Sequence, residues 1–218
     1  SSFSQVEILV ALYDEIMGAD DRFILSKGHA CLSFYEILRR KGLNPKISGH
    51  PDIEPEQGIE CTTGSLGHGL PIGVGMAFAK KFQQKPGHIF VLIGDGECQE
   101  GTIWESLNLA RKFKLDNLTI IIDNNNLQAL SNVKDIMDET NLKAKFESFG
   151  CNVIEIEGHD LTALLENLDK NKIKKNIPRA IIAHTVKGKG LSFMEYKPVW
   201  HSRMIDPELV DQAYKELE

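Results

Sequence analysis

Two polar clusters thirty positions apart carry the strongest chemical signal in the chain: Gly94-Asp95-Gly96 and Asp123-Asn124-Asn125-Asn126. A carboxylate with carboxamide and carbonyl oxygens makes a hard-oxygen set, suited to Mg2+ or Ca2+ and unsuited to zinc. One protein carboxylate leaves such a cation positive enough to hold an anion, typically a phosphate. Glycine on both sides of Asp95 lets the backbone turn sharply and lets a ligand approach without meeting a Cβ. Other polar groups also stand at glycine-punctuated turns. His29 ends Ser26-Lys27-Gly28-His29, and Lys187 lies in Thr185-Val186-Lys187-Gly188-Lys189-Gly190. A histidine at a strand-to-helix junction sits where ligands of open α/β sheets bind; the other reading is a helix-start histidine bonded to backbone. A basic, glycine-rich turn at a strand's carboxyl end suits an anion, or is simply a solvated lysine pair.

The elements that must position these groups are legible from periodicity. His88–Ile93 and Leu118–Ile122 are short, apolar, β-rich runs, as in strands buried on both faces of a parallel sheet. Between them Thr102 starts a helix carrying Ile103, Leu107, Ala110 and Phe113 at helical spacing. Strand, helix and parallel strand form a βαβ unit with both carboxyl ends on one edge, so Asp95 and the asparagines meet there. Upstream, Ser4 and Glu7 suggest a capping box for a helix through Met17. A strand over Asp21–Leu25 and a helix from about Ala30 to Lys41 follow. Gly42–Glu60 is loop-rich and contains His50. The Ile72–Phe82 helix holds Gly73 and Gly75, which imply close packing because glycine costs a helix roughly 1 kcal/mol against alanine. Downstream come a helix over Thr140–Phe149, a strand over Asn152–Ile156, a helix over Leu161–Leu168 and a strand over Arg179–His184. Asp206 is placed to cap a last helix, Pro207 to Leu217. The predicted fold is a three-layer α/β/α sandwich with a mostly parallel sheet and helices on both faces.

A length of 218 residues predicts one domain over residues 1–218, and a start at a helix cap without methionine suggests that an upstream segment is missing. Net charge −6 argues against nucleic acid as the main partner. No apolar run approaches the roughly 20 residues that cross a membrane. The four cysteines are scattered, with no C-x-x-C, and read as reduced thiols of a cytoplasmic protein. A generic nucleotide-binding domain is disfavoured, because no G-x-G-x-x-G follows the first strand and no Walker lysine is present.

Gly-Asp-Gly followed thirty residues later by Asn-Asn resembles the metal–diphosphate motif of thiamine-diphosphate enzymes. Several segments resemble the transketolases in particular: Asp21-Arg22-Phe23-Ile24-Leu25-Ser26-Lys27-Gly28-His29-Ala30, Gly49-His50-Pro51, Thr62-Thr63-Gly64-Ser65-Leu66-Gly67, Gln99-Glu100-Gly101, the Thr185–Gly190 turn and Trp200-His201. The resemblance covers nearly the whole chain, but only the amino-terminal third of a full-length enzyme. It implies thiamine diphosphate with Mg2+ (or Ca2+), held by the side chains of Asp95 and Asn125 and the backbone carbonyl of Leu127. It further implies Gly96 against the diphosphate, and His29, Gly64, Leu66, Glu100, Lys187 and His201 at the cofactor. Glu100 and Glu105 match glutamates near the subunit contact, while His29, His50 and His201 carry catalytic or substrate roles. The family most often has glutamine where this chain has His68, and a Gly-His-Pro-type segment expected upstream is absent.

In transketolases the glutamate that activates the aminopyrimidine belongs to the next domain, contributed by the neighbouring subunit. The resemblance therefore implies the N-terminal subunit of a split transketolase-like enzyme, transferring a two-carbon ketol unit from a ketose to an aldose through a thiamine-diphosphate adduct. Its partner would be a C-terminal subunit supplying the pyrimidine-binding domain and that glutamate. A heterotetramer acting on a sugar or sugar phosphate is expected, with an exposed apolar face near the glycine-rich helix and Trp104 as the contact. The alternatives are a specialised thiamine-dependent ketol or acyl transferase in a biosynthetic pathway, and a non-catalytic scaffold subunit.

Overall fold

A computed structural model describes residues 2–137, 141–201, 203 and 205–218. Five strands form one sheet: β1 (Arg22–Leu25), β2 (Ile89–Gly94), β3 (Leu118–Asn124), β4 (Asn152–Glu157) and β5 (Arg179–His184). Their order is β1-β2-β3-β5-β4 and every pairing is parallel. The three central strands are apolar along both faces, as a sheet covered on two sides requires.

Helices α3 (Gly69–Phe82), α4 (Gly101–Lys112) and α6 (Leu142–Ser148) cover one face, burying Leu70, Val74, Ile103, Leu107 and Phe146. Helices α1 (Val6–Val10), α2 (Cys31–Arg40) and α7 (Leu161–Leu168) cover the other with Leu9, Phe34, Leu38 and Leu164. The short α5 (Val133–Ile136) and the terminal α8 (Pro207–Leu217) complete the order. The three-layer α/β/α sandwich expected from periodicity is thus the architecture observed, and strand ends fall within about two residues of those expected. The expected Thr140 helix start lies outside the described residues.

Three local expectations fail. Ser4 makes no capping box: its hydroxyl donates to Asp123 Oδ2 at 2.6 Å, and the opening helix widens into π-type turns over Ala11–Ile16. Asp206 precedes α8 without capping it, and its carboxylate pairs with Arg203 instead. Of the two helix glycines, only Gly73 is needed for packing, since a Cβ there would fall 2.4 Å from Val91 Cγ2 on the sheet, whereas Gly75 faces open space.

Arg179, fully buried at the start of β5, stitches sheet to helix. Its guanidinium donates to the carbonyls of Asn167, Leu168 and Asp169 at the end of α7, where unsatisfied oxygens collect. Asp160 caps the other end of α7 by accepting from the N–H groups of Thr162 and Ala163.

Candidate functional site

Register sets the site. Gly94 of β2 lies opposite Asp123 of β3, and Asn124 opposite His184 of β5, so three strands end level. The segments that follow them converge with the β1–α2 loop on a cleft of about 260 Å³ at the carboxyl edge. The cleft is lined by Lys27, His29, His50, Gly64, Leu66, Asp95, Gly96, Glu97, Asn125, Leu127, Lys187 and His201, among others. All but one of the site residues expected from sequence are therefore brought together. The exception is Glu100, which is exposed at the start of α4 and does not line the cleft. His68 also stays outside, its Nδ1 3.0 Å from the Leu66 carbonyl.

Asp95 is 3% exposed and accepts hydrogen bonds from the N–H groups of Gly96 and Asn126. Burial, together with the nearby Asp123 carboxylate, pushes its pKa up to about 6 despite those donors. A carboxylate that burial penalises in this way is stabilised by a cation beside it. Asn125 is oriented by two bonds: its Nδ2 donates to Asp123 Oδ1 at 3.2 Å, and its Oδ1 accepts from the Leu127 N–H at 3.1 Å. The Leu127 carbonyl already accepts a cationic donor, the Lys187 ammonium, at 3.4 Å. No three His, Cys, Asp or Glu side chains among the described residues group as a metal site. Asp95 with the neighbouring oxygens of Asn125 and Leu127 is a donor set that could hold Mg2+ or Ca2+.

A charge pair that motif reading missed runs from the cleft wall into the interior. Asp123, with no exposure, and Lys27, at 3%, form a buried ion pair, and Asp123 also accepts from the Ser4 and Thr185 hydroxyls. These partners hold Asp123 down to about 2 against the cost of burial. The sequence signal was an acid placed directly after an apolar strand. Glu97 is a second missed group. Its carboxylate accepts from the Ser26 hydroxyl and from the N–H groups of Gly67 and Gly94, the latter two at 2.7 and 3.1 Å, locking two glycine-rich turns together.

Over the cleft, the rings of His29 and His201 stack with centroids 4.6 Å apart. Burial first, and then the neighbouring ammonium groups, lowers His29 to about 2 and His201 to about 4, so both imidazoles are neutral near pH 7. Lys187 is pushed down to about 8, mainly by burial and then by Lys27. Its ammonium donates to His201 Nδ1 at 2.7 Å. An imidazole that accepts at Nδ1 while neutral carries its proton on Nε2, which makes His201 a donor through Nε2. His50 is exposed, its ring beside Gly64.

Trp104 does not offer the apolar face expected of it. Its ring packs on Phe146 and Phe149, and its Nε1 donates to the Cys98 carbonyl at 2.9 Å. The exposed apolar face lies elsewhere on α3 and α4, where Phe78 contacts Phe82 and Phe113, and Phe82 is 78% exposed.

Comparison with known proteins gives one answer. The family model "Transketolase, thiamine diphosphate binding domain" matches residues 13–217. One of the subunits of apulose-4-phosphate transketolase from Actinobacillus succinogenes is 39% identical, with 100% of this chain and 86% of that protein covered. The 6-deoxy-6-sulfo-D-fructose transketolase subunit SqwG of a Clostridium species is 35% identical, again over 100% of this chain and 86% of the relative. The structure of transketolase from Campylobacter jejuni superposes with a TM-score of 0.82 at 30% identity, covering 96% of this chain and 37% of that one. Against Homo sapiens transketolase the identity is 34%, with 91% of this chain matched but only 33% of the relative, so the chain spans about a third of a full-length enzyme. With its cleft, its buried Asp95 and its match over residues 13–217, the chain belongs to the transketolase family, as the domain that binds thiamine diphosphate.

Proposed function

We propose that this chain is the diphosphate- and metal-holding subunit of a split transketolase, which transfers a two-carbon ketol unit from a ketose to an aldose when a second chain completes the site. The observation that carries the reading is a buried carboxylate, Asp95, in one cleft with Asn125, the Leu127 carbonyl, Lys187 and two neutral histidines. Asp95, Asn125 and Leu127 would hold Mg2+ or Ca2+, and Lys187 would face the diphosphate with Gly96 beneath it. When bound, thiamine diphosphate supplies the nucleophilic carbon that takes up the ketol unit. His29 and His201 can each accept or donate one proton to a sugar hydroxyl or carbonyl, as neutral imidazoles do. His201 is set as a donor from Nε2 by its bond from Lys187. His50, on the exposed rim, would meet the sugar rather than the cofactor.

Two relatives named as subunits support a partner chain. One is named for a sugar phosphate and the other for a sulfo-sugar, so a ketose with a terminal anion is the substrate class proposed here. The Phe78–Phe82–Phe113 face is proposed as part of the subunit contact, because aromatic residues exposed together mark interaction surfaces. Two copies of each chain, a single cofactor-holding domain in this one and a cytoplasmic location complete the proposal. Buried cysteine thiols and the lack of any membrane-spanning helix among the described residues agree with that location.

Isothermal titration of thiamine diphosphate with Mg2+ into the chain, alone and with its partner, tests the reading. Metal-dependent binding that requires both chains, followed by ketol transfer, is the expected result. Tight binding by this chain alone would overturn the two-chain site, and metal-independent binding would overturn the role given to Asp95.

A further inference from the structure

The Thr185–Gly190 turn delivers Lys187 to the cleft, yet nothing in its own sequence fixes where that turn sits. Contacts from elsewhere do so: the Thr185 N–H donates to the Asn124 carbonyl and the Tyr196 N–H to the Lys187 carbonyl, each at 3.2 Å, and two side chains add to these. Thr185 is held through its hydroxyl by Asp123. Val186 is held through its backbone: its N–H donates to His159 Nε2 at 2.8 Å. A backbone N–H only donates, so Nε2 must be the unprotonated nitrogen and the ring's proton sits on Nδ1. That Nδ1 lies 3.0 Å from Glu7 Oε2, at the start of α1. Both atoms are shielded from solvent, and the approach is oblique, so the contact is closer to an electrostatic tether than to a well-aligned hydrogen bond.

The loop carrying His159 is itself built against the turn. The Gly158 N–H donates to the His184 carbonyl at 2.7 Å, and a Cβ on Gly158 would lie 2.4 Å from Thr185 Cγ2. Only glycine lets the loop approach this closely. Residues 184, 185 and 186 are thus each pinned by a different partner, and the next residue, Lys187, turns into the cleft.

We propose that His159, backed by Glu7, is a positioning residue that holds the Thr185–Val186 backbone so that the Lys187 ammonium faces the cofactor diphosphate. This rests on the assignment of Lys187 as a cofactor contact. His159 itself does not line the cleft and touches nothing that reacts. Removing it should loosen the turn and weaken cofactor binding while leaving the chemistry of the bound state almost intact.

Two readouts on the assembled enzyme test this. The first is hydrogen exchange at the Val186 amide without cofactor. His159→Leu removes the acceptor and should speed exchange about tenfold or more, whereas His159→Gln, which keeps an oxygen near the Nε2 position, should stay close to wild type. The second is thiamine diphosphate affinity. His159→Leu should weaken it about tenfold, the usual size for a group that orients a ligand contact, with kcat at saturating cofactor changed less than about twofold. In a Lys187→Met background the same change should add nothing, because the residue acts through that lysine. Unchanged exchange in His159→Leu, or an affinity loss that adds fully to that of Lys187→Met, overturns the proposal. Should His159→Leu not fold, Glu7→Ala carries the test, with faster Val186 exchange expected and unchanged exchange counting against the tether. If wild-type enzyme binds no thiamine diphosphate, the cofactor reading falls, and the exchange data then decide the tether alone.

Discussion

Replacing Lys27 by methionine leaves the Asp123 carboxylate without its ammonium partner in a place that solvent does not reach. Asp123 has no exposure and Lys27 has 3%, so neither can recover hydration when the other is removed. Breaking such a buried pair from one side costs about 3–5 kcal/mol. For a chain of this length each kcal/mol lowers Tm by about 2–4 °C, so the single variant should melt roughly 10 °C below wild type. Asp123→Asn should cost a similar amount by stranding the ammonium, and because Ser4 and Thr185 donate to different oxygens, its carboxamide keeps an acceptor for only one of them. The double variant removes both charges together and should be less damaged than the two single losses added, by about 2 kcal/mol or more. Thermal and urea denaturation of the four proteins measures that coupling. Strict additivity, or a Lys27→Met protein as stable as wild type, would refute the claim that the pair is buried and interdependent.

Other expectations follow from groups far from the cleft. Burial, with Arg179 next, lowers His88 to about 3, so the unfolded chain takes up a proton near pH 6.5 that the folded chain refuses until about pH 3. Stability should therefore fall as pH drops through this window, with His88 accounting for about 2 kcal/mol at pH 5. Urea titrations across pH should show a shallower acid slope in His88→Phe, and an identical slope would dismiss the assignment. Arg179→Met leaves three carbonyls at the end of α7 without their buried donor. It should cost about 3 kcal/mol in denaturation, and a loss under 1 kcal/mol would mean that water replaces the guanidinium. Phe82→Glu places a charge on the exposed aromatic face and should weaken assembly with the partner about tenfold by sedimentation, without lowering the Tm of the isolated chain. Unaltered assembly would move the contact to another surface.

How far the sequence could be read depended on whether the cause was local. Apolar runs such as Phe90-Val91-Leu92-Ile93 and Ile120-Ile121-Ile122 announce buried parallel strands, and their spacing around α4 forces Asp95 and Asn125 onto one edge. The glycine-bounded motifs around His29, Gly64, Asp95 and Lys187 pointed to the same cleft that the fold assembles. Local capping rules misled where a side chain had a better distant partner. Ser4 looked like a helix cap but bonds Asp123, 119 positions away. Glu97 and Glu100 are near neighbours, and nothing in their spacing tells that the first turns inward to bind two loops while the second stays in solvent. Pairing between Lys27 and Asp123, or between Val186 and His159, leaves no periodic trace, because it is created by the sheet's register.

The strand order has a consequence for how the protein comes into being. β5 follows β4 in the chain but lies between β3 and β4, so during synthesis β3 waits with a bare, isoleucine-rich edge until residues 179–184 leave the ribosome. Unpaired edges of this kind recruit other strands, and long-range parallel pairing is slow. The same late strand carries Thr185 and Lys187 just beyond its end, so the closing of the sheet and the completion of the cleft are one event. A nascent chain stalled before β5 would expose a sticky edge and hold no anion. Chaperone co-expression, which sequesters exposed edges, should therefore raise the yield of competent protein more than changes to its surface would, and slowed elongation between β3 and β5 should lower it.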